Sequence, residues 1–565
     1  MALDVHKLDQ RYTALKTERS GWDETWQELS ELFLPTRWRG DTDESAHKQP
    51  KTNTRLVNST GVLAIRTLAS GLHGGMTSPV RPWFRLQIAG DIGQAGATGA
   101  NAWLDEVTQR MQFLLHQSNF YEAIHGLYSD LGTFGTALLV ENGDADGLRF
   151  DLVRAGEYVL DVDDKGRVDT FFRRMHMTAR QILEKWPDSA PDMVRTAAKH
   201  GEVRRFNIIH GVFPRTELAF GSLDKEGMPY VSVYWVRDGA GGRQSAILDE
   251  GGYKMFPAFA PRWDITGFDV YGRSPAMDVM PDVKMLQAMT TSLRKMQHKI
   301  ADPPMLGDSS LKRYGVDRNP GGFTYGDFQM TGGKPLVIPI QQPESAALGY
   351  TMTAIQGVEE MVRAGLYVDL FRLMIDDSRL GITATEVQAR QNEKLLLLGP
   401  VVERMHDELL SPLIKRTYQL MGEYNYLPPA PEGFGGVELD IRFESVLAQA
   451  QKIMTTSAID QGIAFVAQFA QMKPEVLDII DGDNTARSYL KRVGVPESCM
   501  ADEQTIEETR QARAEAEAQA QQAAQAQAAT EQILDVSGAA KNMGQTPVGA
   551  DGQTLLGSIL GGLGG

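Results

Sequence analysis

The stretch from Thr383 to Met421 carries the clearest hydrophobic periodicity in the chain. Leu395, Leu398, Val402, Met405, Leu409 and Leu413 step by three or four residues, while Glu393, Arg404, Asp407 and Lys415 largely escape that stripe, so the spacing predicts a helix with one buried face. Thr383, with Glu386 three positions on, has the pattern of a capping box. Pro400 and Pro412 conflict with an unbroken rod. Each removes a backbone donor and crowds the preceding turn, at about 3 kcal/mol inside a helix, so a kink or restart is expected after Gly399.

The same reading applied along the chain predicts an α+β protein. An amphipathic helix holds Leu15, Trp22, Trp26, Leu29 and Phe33 and closes at Pro35, with a polar loop as far as Asn53. Helical spacing returns over Asn58–Ser70, after which Gly71, Gly74, Gly75 and Pro79 predict a turn into the strand-like WFRLQI, and again over Trp103–Leu115. Leu148–Met177 alternates around a turn at Asp164–Gly166, Thr178 caps a short helix, and Phe206–Phe259 reads as strands with a turn at Gly251-Gly252.

After Ser274 the texture changes. Val279, Val283, Leu286, Leu293, Met296 and Ile300 form a seam suited to helices lying side by side. Asp302-Pro303-Pro304 ends that helix, a Gly- and Pro-rich stretch runs to Pro343, and a second helix, Ala354–Phe371, brings the chain back. Read from the residues alone, this is a helical hairpin with an ordered loop. Beyond Pro428–Pro431, VELDIRF predicts a strand, and Ser445–Leu490 predicts helices burying Ile453, Ile459, Ile463, Val466 and Phe469. Asp502–Leu534 is rich in Ala, Gln and Glu and has high helix propensity, and the Gly-rich finish offers little to bury.

Composition narrows the function classes. At 565 residues the chain exceeds one hydrophobic core, and 42% hydrophobic content suffices for several. No apolar run is long enough for a bilayer and MALDVHKLDQRY lacks a signal-peptide core, so a soluble chain made in the cytoplasm with no membrane partner is expected. The single cysteine, Cys499, excludes internal disulfides and cysteine-based zinc sites. A net charge of −16 argues against a broad basic face that grips nucleic acid, and suits a surface that only needs to stay hydrated.

Catalytic signatures are missing. The sequence holds no GxxxxGK[ST] to cradle phosphates, no HExxH to present two imidazoles, and no GxSxG elbow. Ser-x-x-Lys occurs at Ser45, Ser292 and Ser309 without a companion Lys-Thr-Gly. Asp161, Asp163 and Gly166 imitate the start of a calcium loop, but Lys165 and Phe172 occupy ligand positions, so a strand turn explains them better. His73-Gly74-Gly75 resembles an oxyanion segment without its serine partner. No catalytic residue, cofactor or metal is expected. Two classes remain: a structural conduit, or a hydrolase of unrecognised family acting as a compact monomer.

The first class gains weight from a resemblance. TATEVQAR, EKLLLLGPV and the following Leu-Leu-Ser-Pro-Leu-Ile run resemble the portal, or head-to-tail connector, proteins of short-tailed double-stranded DNA bacteriophages. So do WQELSELFLP, NSTGVLAIRTLASGLHGGMTSPVRPWFRL, SNFYEAIHGLYSDLGTFGTALL, HGVFPR, PRWD and YGRSPAMDVMPDVKMLQ, and the resemblance spans roughly Trp22–Pro429.

The resemblance implies a portal-type ring subunit. Its parts are an N-terminal helix and α/β wing over 1–270, a first stem helix over 271–301, a small α/β clip over 302–345 and a second stem helix over 346–371. A channel loop over 372–382 follows, then a long kinked helix and closing wing strand over 383–440, a helical crown over 441–500, an Ala/Gln-rich helix over 501–535 and a flexible tail over 536–565. It implies a ring of roughly twelve copies at one capsid vertex of the virion, threaded by double-stranded DNA. Expected partners are the terminase large subunit, tail adaptor and tail tube proteins, and capsid and scaffolding proteins. Arg372, Asp376, Asp377, Ser378 and Arg379 are the expected channel-loop residues. Lys284, Arg294, Lys295, Lys299 and Arg363 are expected on the stem, and Lys312, Arg313 and Tyr314 at clip contacts.

Overall fold

The structure, a computed structural model, describes residues 4–38, 56–88, 94–144, 147–216, 225–237, 245–307, 317, 337–339, 345–375, 398–430, 439–444, 465–466, 482–483, 485–486, 505–523 and 541. The chain divides into two units, Met1–Ala458 and Ile459–Gly565. In the second, residues 505–523 are helical and exposed along nearly their whole length, and Arg510 pairs with Asp483 at 2.6 Å. The crown candidates Ile453, Ile459, Ile463 and Phe469 lie outside the described residues, as do Thr383, Glu386, Glu393 and Leu395.

The first unit is built around antiparallel sheets. Helix α1 (Val5–Phe33) starts at Asp4, whose carboxylate accepts from the His6 amide. Its Leu8, Tyr12 and Leu15 cover one face of a five-stranded sheet in the order β4 (Tyr158–Val162), β5 (Val168–Thr178), β6 (Arg205–Pro214), β7 (Tyr230–Arg237) and β8 (Ala246–Tyr253). Ile209, Val233 and Trp235 meet α1, while Ile208 and Val236 face α5 (Ala179–Lys185) and α6 (Asp192–Lys199) on the other side. That split follows from the two-residue side-chain period of a strand. Thr178 caps α5 with a full capping box to Gln181, as the sequence predicts. The turn holding Asp163 and Gly166 is a strand turn, Asp163 accepting from the amides of Lys165 and Arg167.

The largest core lies under a second group of elements. Helices α2 (Thr60–Met76), α3 (Gln94–Gln117) and α4 (Phe120–Phe134) pack with a three-stranded sheet in which β2 (Leu138–Asp144) sits between β3 (Gly147–Val153) and β9 (Ala258–Phe259). Strand β1 (Phe84–Ile88) pairs with β12 (Leu439–Phe443), a register running from Phe84↔Phe443 to Ile88↔Leu439.

Two glycine expectations are corrected. Gly71, Gly74 and Gly75 do not end α2, which runs on to Met76, because Gly71 is a contact position: a Cβ there would sit 2.2 Å from the Phe371 ring. Gly251 and Gly252 lie inside β8, opposite Ser232 and Val231, and a Cβ on Gly252 would come within 2.8 Å of Met228. Both sites use glycine for close approach.

Candidate functional site

The element that the body leaves incomplete is a helical hairpin. Helix α7 (Pro275–Ala301) begins at Ser274, whose hydroxyl accepts from the Met277 amide, with Pro275 in the first turn, where its missing N–H costs nothing. Asp302 caps its far end ahead of two prolines. The returning α8 (Ser345–Gly365) packs along it, and Gly365 lets the two meet closely, since a Cβ would stand 2.4 Å from Val279. Past the helix ends, β10 (Met305–Gly307) pairs antiparallel with β11 (Val337–Pro339), so the hairpin continues as a strand pair.

The seam read from the sequence is buried at one end only. Val279, Val283, Leu286 and Leu293 are buried, Met296 is half-buried and Ile300 is exposed. The near half is tied to the body: the Gln287 side chain accepts from the amides of Val57 and Asn58, and the Asn58 amide group donates to Glu359 at 3.0 Å. The far half exposes Ile300, Met305, Leu306, Tyr350 and Met352, with Tyr350 83% exposed.

Charge divides the same way. Lys284 pairs with Glu28 at 2.6 Å and Arg363 with Glu359 at 3.0 Å. Among the described residues Arg294 reaches only the Gln297 side-chain oxygen, at 3.4 Å, and Lys295 and Lys299 are exposed with no ion-pair partner. From Arg294 to Ala301 every charged side chain is basic, and α8 carries no charged residue before Glu359. An acidic chain thus presents a basic patch at the far end of this hairpin, which the net charge alone did not reveal.

The return helix differs from the expected single stem helix over 346–371. It breaks at Leu366–Tyr367, where Tyr367 takes a left-handed φ of 57°, and restarts as α9 (Val368–Ile375). The cause is docking: Val368, Leu370 and Phe371 are buried, with the Phe371 ring over Gly71. Arg372 therefore belongs to a helix and not to the loop expected over 372–382. Asp376, Asp377, Ser378 and Arg379 lie outside the described residues, as do Lys312, Arg313 and Tyr314.

The amphipathic stretch of the opening pattern forms a rod of successive helical turns. α10 (Gly399–Met405), a π-turn at His406–Leu410 and α11 (Ser411–Glu423) follow one another with helical backbone throughout. Leu398, Val402, Met405, Leu409 and Leu413 are all buried, whereas Asp407 and Lys415 are exposed. Pro400 sits in a first turn, and the wider π-turn lies just before Pro412, where it relieves the clash that proline imposes on the preceding turn.

The rod is fastened by ion pairs that pattern reading missed. Arg262 holds Glu408 with Nη2 to Oε1 at 2.6 Å and its own amide to Oε2 at 2.9 Å. Glu141 on β2 accepts from Thr417 at 2.8 Å and lies 3.8 Å from Arg416; burial pushes its carboxyl up to about 7 against the pull of that guanidinium. Neither pair has a spacing signal in the sequence, since the partners lie far apart in the chain.

A buried Ser–His contact tests the hydrolase reading. His210 Nε2 lies 3.1 Å from Ser232 Oγ, but Arg173 Nε donates to His210 Nδ1 at 3.0 Å. That donation leaves the proton of the neutral ring on Nε2, so His210 donates to Ser232 and has no lone pair with which to take its proton. Burial, with the Arg173 charge beside it, holds the imidazole well below its ordinary pKa. The dyad is a structural pair in a sheet. Among the described residues no group of three or more His, Cys, Asp or Glu is placed to hold a metal, and no helix is long and apolar enough to cross a membrane.

The profile of the bacteriophage head to tail connecting protein family matches residues 5–500, well beyond the Trp22–Pro429 span of the motifs above. A probable portal protein of Bordetella phage BPP-1 is 36% identical over 512 residues, covering 89% of this chain and 90% of that protein. The portal protein of Salmonella phage epsilon15 is 34% identical over 517 residues, covering 90% and 91%.

Proposed function

This chain belongs to the family of bacteriophage head-to-tail connecting proteins, a structural family and not an enzymatic one, and from that premise we propose that its copies close into a ring at one capsid vertex whose bore passes the genome. The observation that carries this reading is the far half of the hairpin. Its exposed apolar side chains call for a partner, and its basic residues for an anion. Neighbouring copies cover the first, and DNA phosphates pass the second.

In this account α7 and α8 are the stem and the strand pair β10–β11 is the base of the clip. Lys295 and Lys299 face the bore, where lone lysines make brief, salt-sensitive phosphate contacts that keep the duplex centred without arresting it. Lys284 and Arg363, already paired, hold the stem to the body. Asp376, Asp377, Ser378 and Arg379 form the segment approaching DNA between stem and rod, and Arg372 belongs to the helix that leads into it. Lys312, Arg313 and Tyr314 on the clip meet the terminase large subunit during filling and tail adaptor or tail tube proteins afterwards, while the wing side meets capsid and scaffolding proteins. A ring of roughly twelve copies fits the family.

Negative-stain imaging of the purified full chain tests this. Rings with a central hole are expected; uniform compact monomers at high protein concentration would overturn it.

A further inference from the structure

A cleft of ≈ 290 Å³ opens between α1, the segment 264–273 and the start of α7, and its chemistry is specific. Trp22, Tyr271, Met277 and Met280 supply apolar and aromatic walls, with the Trp22 and Tyr271 rings 6.0 Å apart, and Asp264 and Asp269 stand in its lining. The one cation there, Arg273, is matched by Asp278 at 3.0 Å. Asp264 Oδ1 accepts from the Ile265 amide at 3.0 Å and lies 3.4 Å from Arg404, and the Asp269 carboxylate has no ion-pair partner among the described residues. Aromatic faces beside an Asp269 carboxylate with no ion-pair partner among the described residues, and a second carboxylate at Asp264, suit a cationic side chain joined to a small apolar one.

The same surface chemistry occurs in complement on the loop after α2. Ser78-Pro79-Val80-Arg81-Pro82 projects Val80, which is 87% exposed, and an exposed Arg81 with no ion-pair partner among the described residues. Two prolines limit the backbone freedom of this loop, so little entropy is lost when it is gripped.

The loop runs along the first half of α4, from Thr77 beside the Tyr128 hydroxyl to the helix start, and the cleft lies beyond the helix end. The loop leads into Trp83, which stacks on Phe120 and donates from Nε1 to the Tyr121 hydroxyl, at the start of that helix. The cleft is backed by Trp26, which packs on Tyr271 at 5.3 Å and donates from Nε1 to the Phe134 carbonyl, at its end. At 1.5 Å per residue these ends are about 20 Å apart. One copy therefore cannot fill its own cleft, and a knob offered at one side with a hole at the other makes a head-to-tail contact, the kind that closes rings.

We propose that the Ser78–Pro82 loop of one copy seats in the Trp22–Tyr271 cleft of the next, with Val80 against Met277 and Met280 and Arg81 between the rings and the carboxylates of Asp264 and Asp269. The proposal rests on the ring reading and supplies it with a specific contact.

A charge swap in the full chain tests it, read by native mass spectrometry. Arg81→Asp and Asp269→Arg each raise the concentration for half-assembly at least tenfold, and the double variant recovers most of that loss. Both positions are exposed, and an unchanged circular dichroism spectrum confirms that each variant folds. A second readout joins Val80→Cys to Met280→Cys in a Cys499→Ser background, where oxidation is expected to give covalent ladders between copies. Single variants that assemble like the parent, with no ladder, overturn the contact while leaving the ring intact. A parent chain that stays monomeric overturns the ring reading itself.

Discussion

Arg262, beside the rod, and Lys299, on α7, are both cations, and their surroundings could hardly differ more. Arg262 is buried and gripped by Glu408, with further bonds from its guanidinium to the Gly166 and Asp269 carbonyls. Lys299 stands in solvent. The contrast extends to whole regions: the body matches its buried charges and buries most of its large apolar side chains, with Val80, Phe113, Val203 and Phe268 left exposed, whereas the far half of the hairpin leaves lysines unmatched among the described residues and Ile300, Met352 and Tyr350 uncovered. A body so finished gains stability from its own contacts. On the proposed reading, a hairpin left so open is completed by neighbouring copies.

The largest expected effect lies in the body. Arg262→Ala strands the Glu408 carboxylate and removes the tie between the rod and the segment carrying Arg262, which should lower unfolding stability by about 3–5 kcal/mol in a denaturant titration of the disassembled chain. A loss below 1 kcal/mol would mean that the body does not depend on its matched charges.

Next comes a pair of truncations along one helix. Leu286→Ala, in the buried near half of α7, should cost about 2–4 kcal/mol. Ile300→Ala, fourteen residues on (300 − 286) and exposed, should cost under about 0.5 kcal/mol in the same titration yet weaken ring assembly. Equal effects at the two sites would erase the contrast between the halves.

The third prediction concerns pH. Glu141 is pushed from an ordinary 4.5 up to about 7 by burial, so the folded state binds its proton more tightly than the unfolded chain does. Its contribution to stability is complete below 4.5 and is lost as pH rises through about 7, a decline on the order of 1–3 kcal/mol. Glu141→Gln should flatten that part of the profile relative to the parent. A parallel decline in both proteins would assign the dependence to other groups, such as Asp130, which burial pushes up to about 6.

The smallest change in stability is expected at the far lysines. Lys295→Ala with Lys299→Ala should shift stability by less than about 0.5 kcal/mol while making residual duplex binding by the ring weaker and less dependent on salt. Unaltered salt dependence would remove these lysines from the bore.

Much of this division was legible in the sequence. The Leu398–Leu413 stripe, the helices around Trp26 and Leu286, the Thr178 cap and the strands of the five-stranded sheet all follow from local spacing, because burial on one face imposes its period on the sequence. Glycine misled at Gly71, Gly251 and Gly252, since a residue that breaks a helix and a residue that admits a neighbouring ring look alike in one dimension. The break at Tyr367 was illegible for a related reason: a tyrosine in a left-handed conformation has no local signal, and only the seating of Phe371 on Gly71 requires it. Of the candidate site, the hairpin and its basic residues could be read directly. Which of those residues are already matched could not, because Glu28 meets Lys284 across a distance that pattern does not encode.

The most direct test of the central claim is a cryo-electron microscopy reconstruction of the purified full chain. The account predicts a closed ring in which Ile300, Tyr350 and Met352 are covered by neighbouring copies and Lys295 and Lys299 line a bore wide enough for a duplex. A closed ring whose hairpins splay outward with those apolar residues still in solvent, or a solitary protomer with no bore, would contradict it.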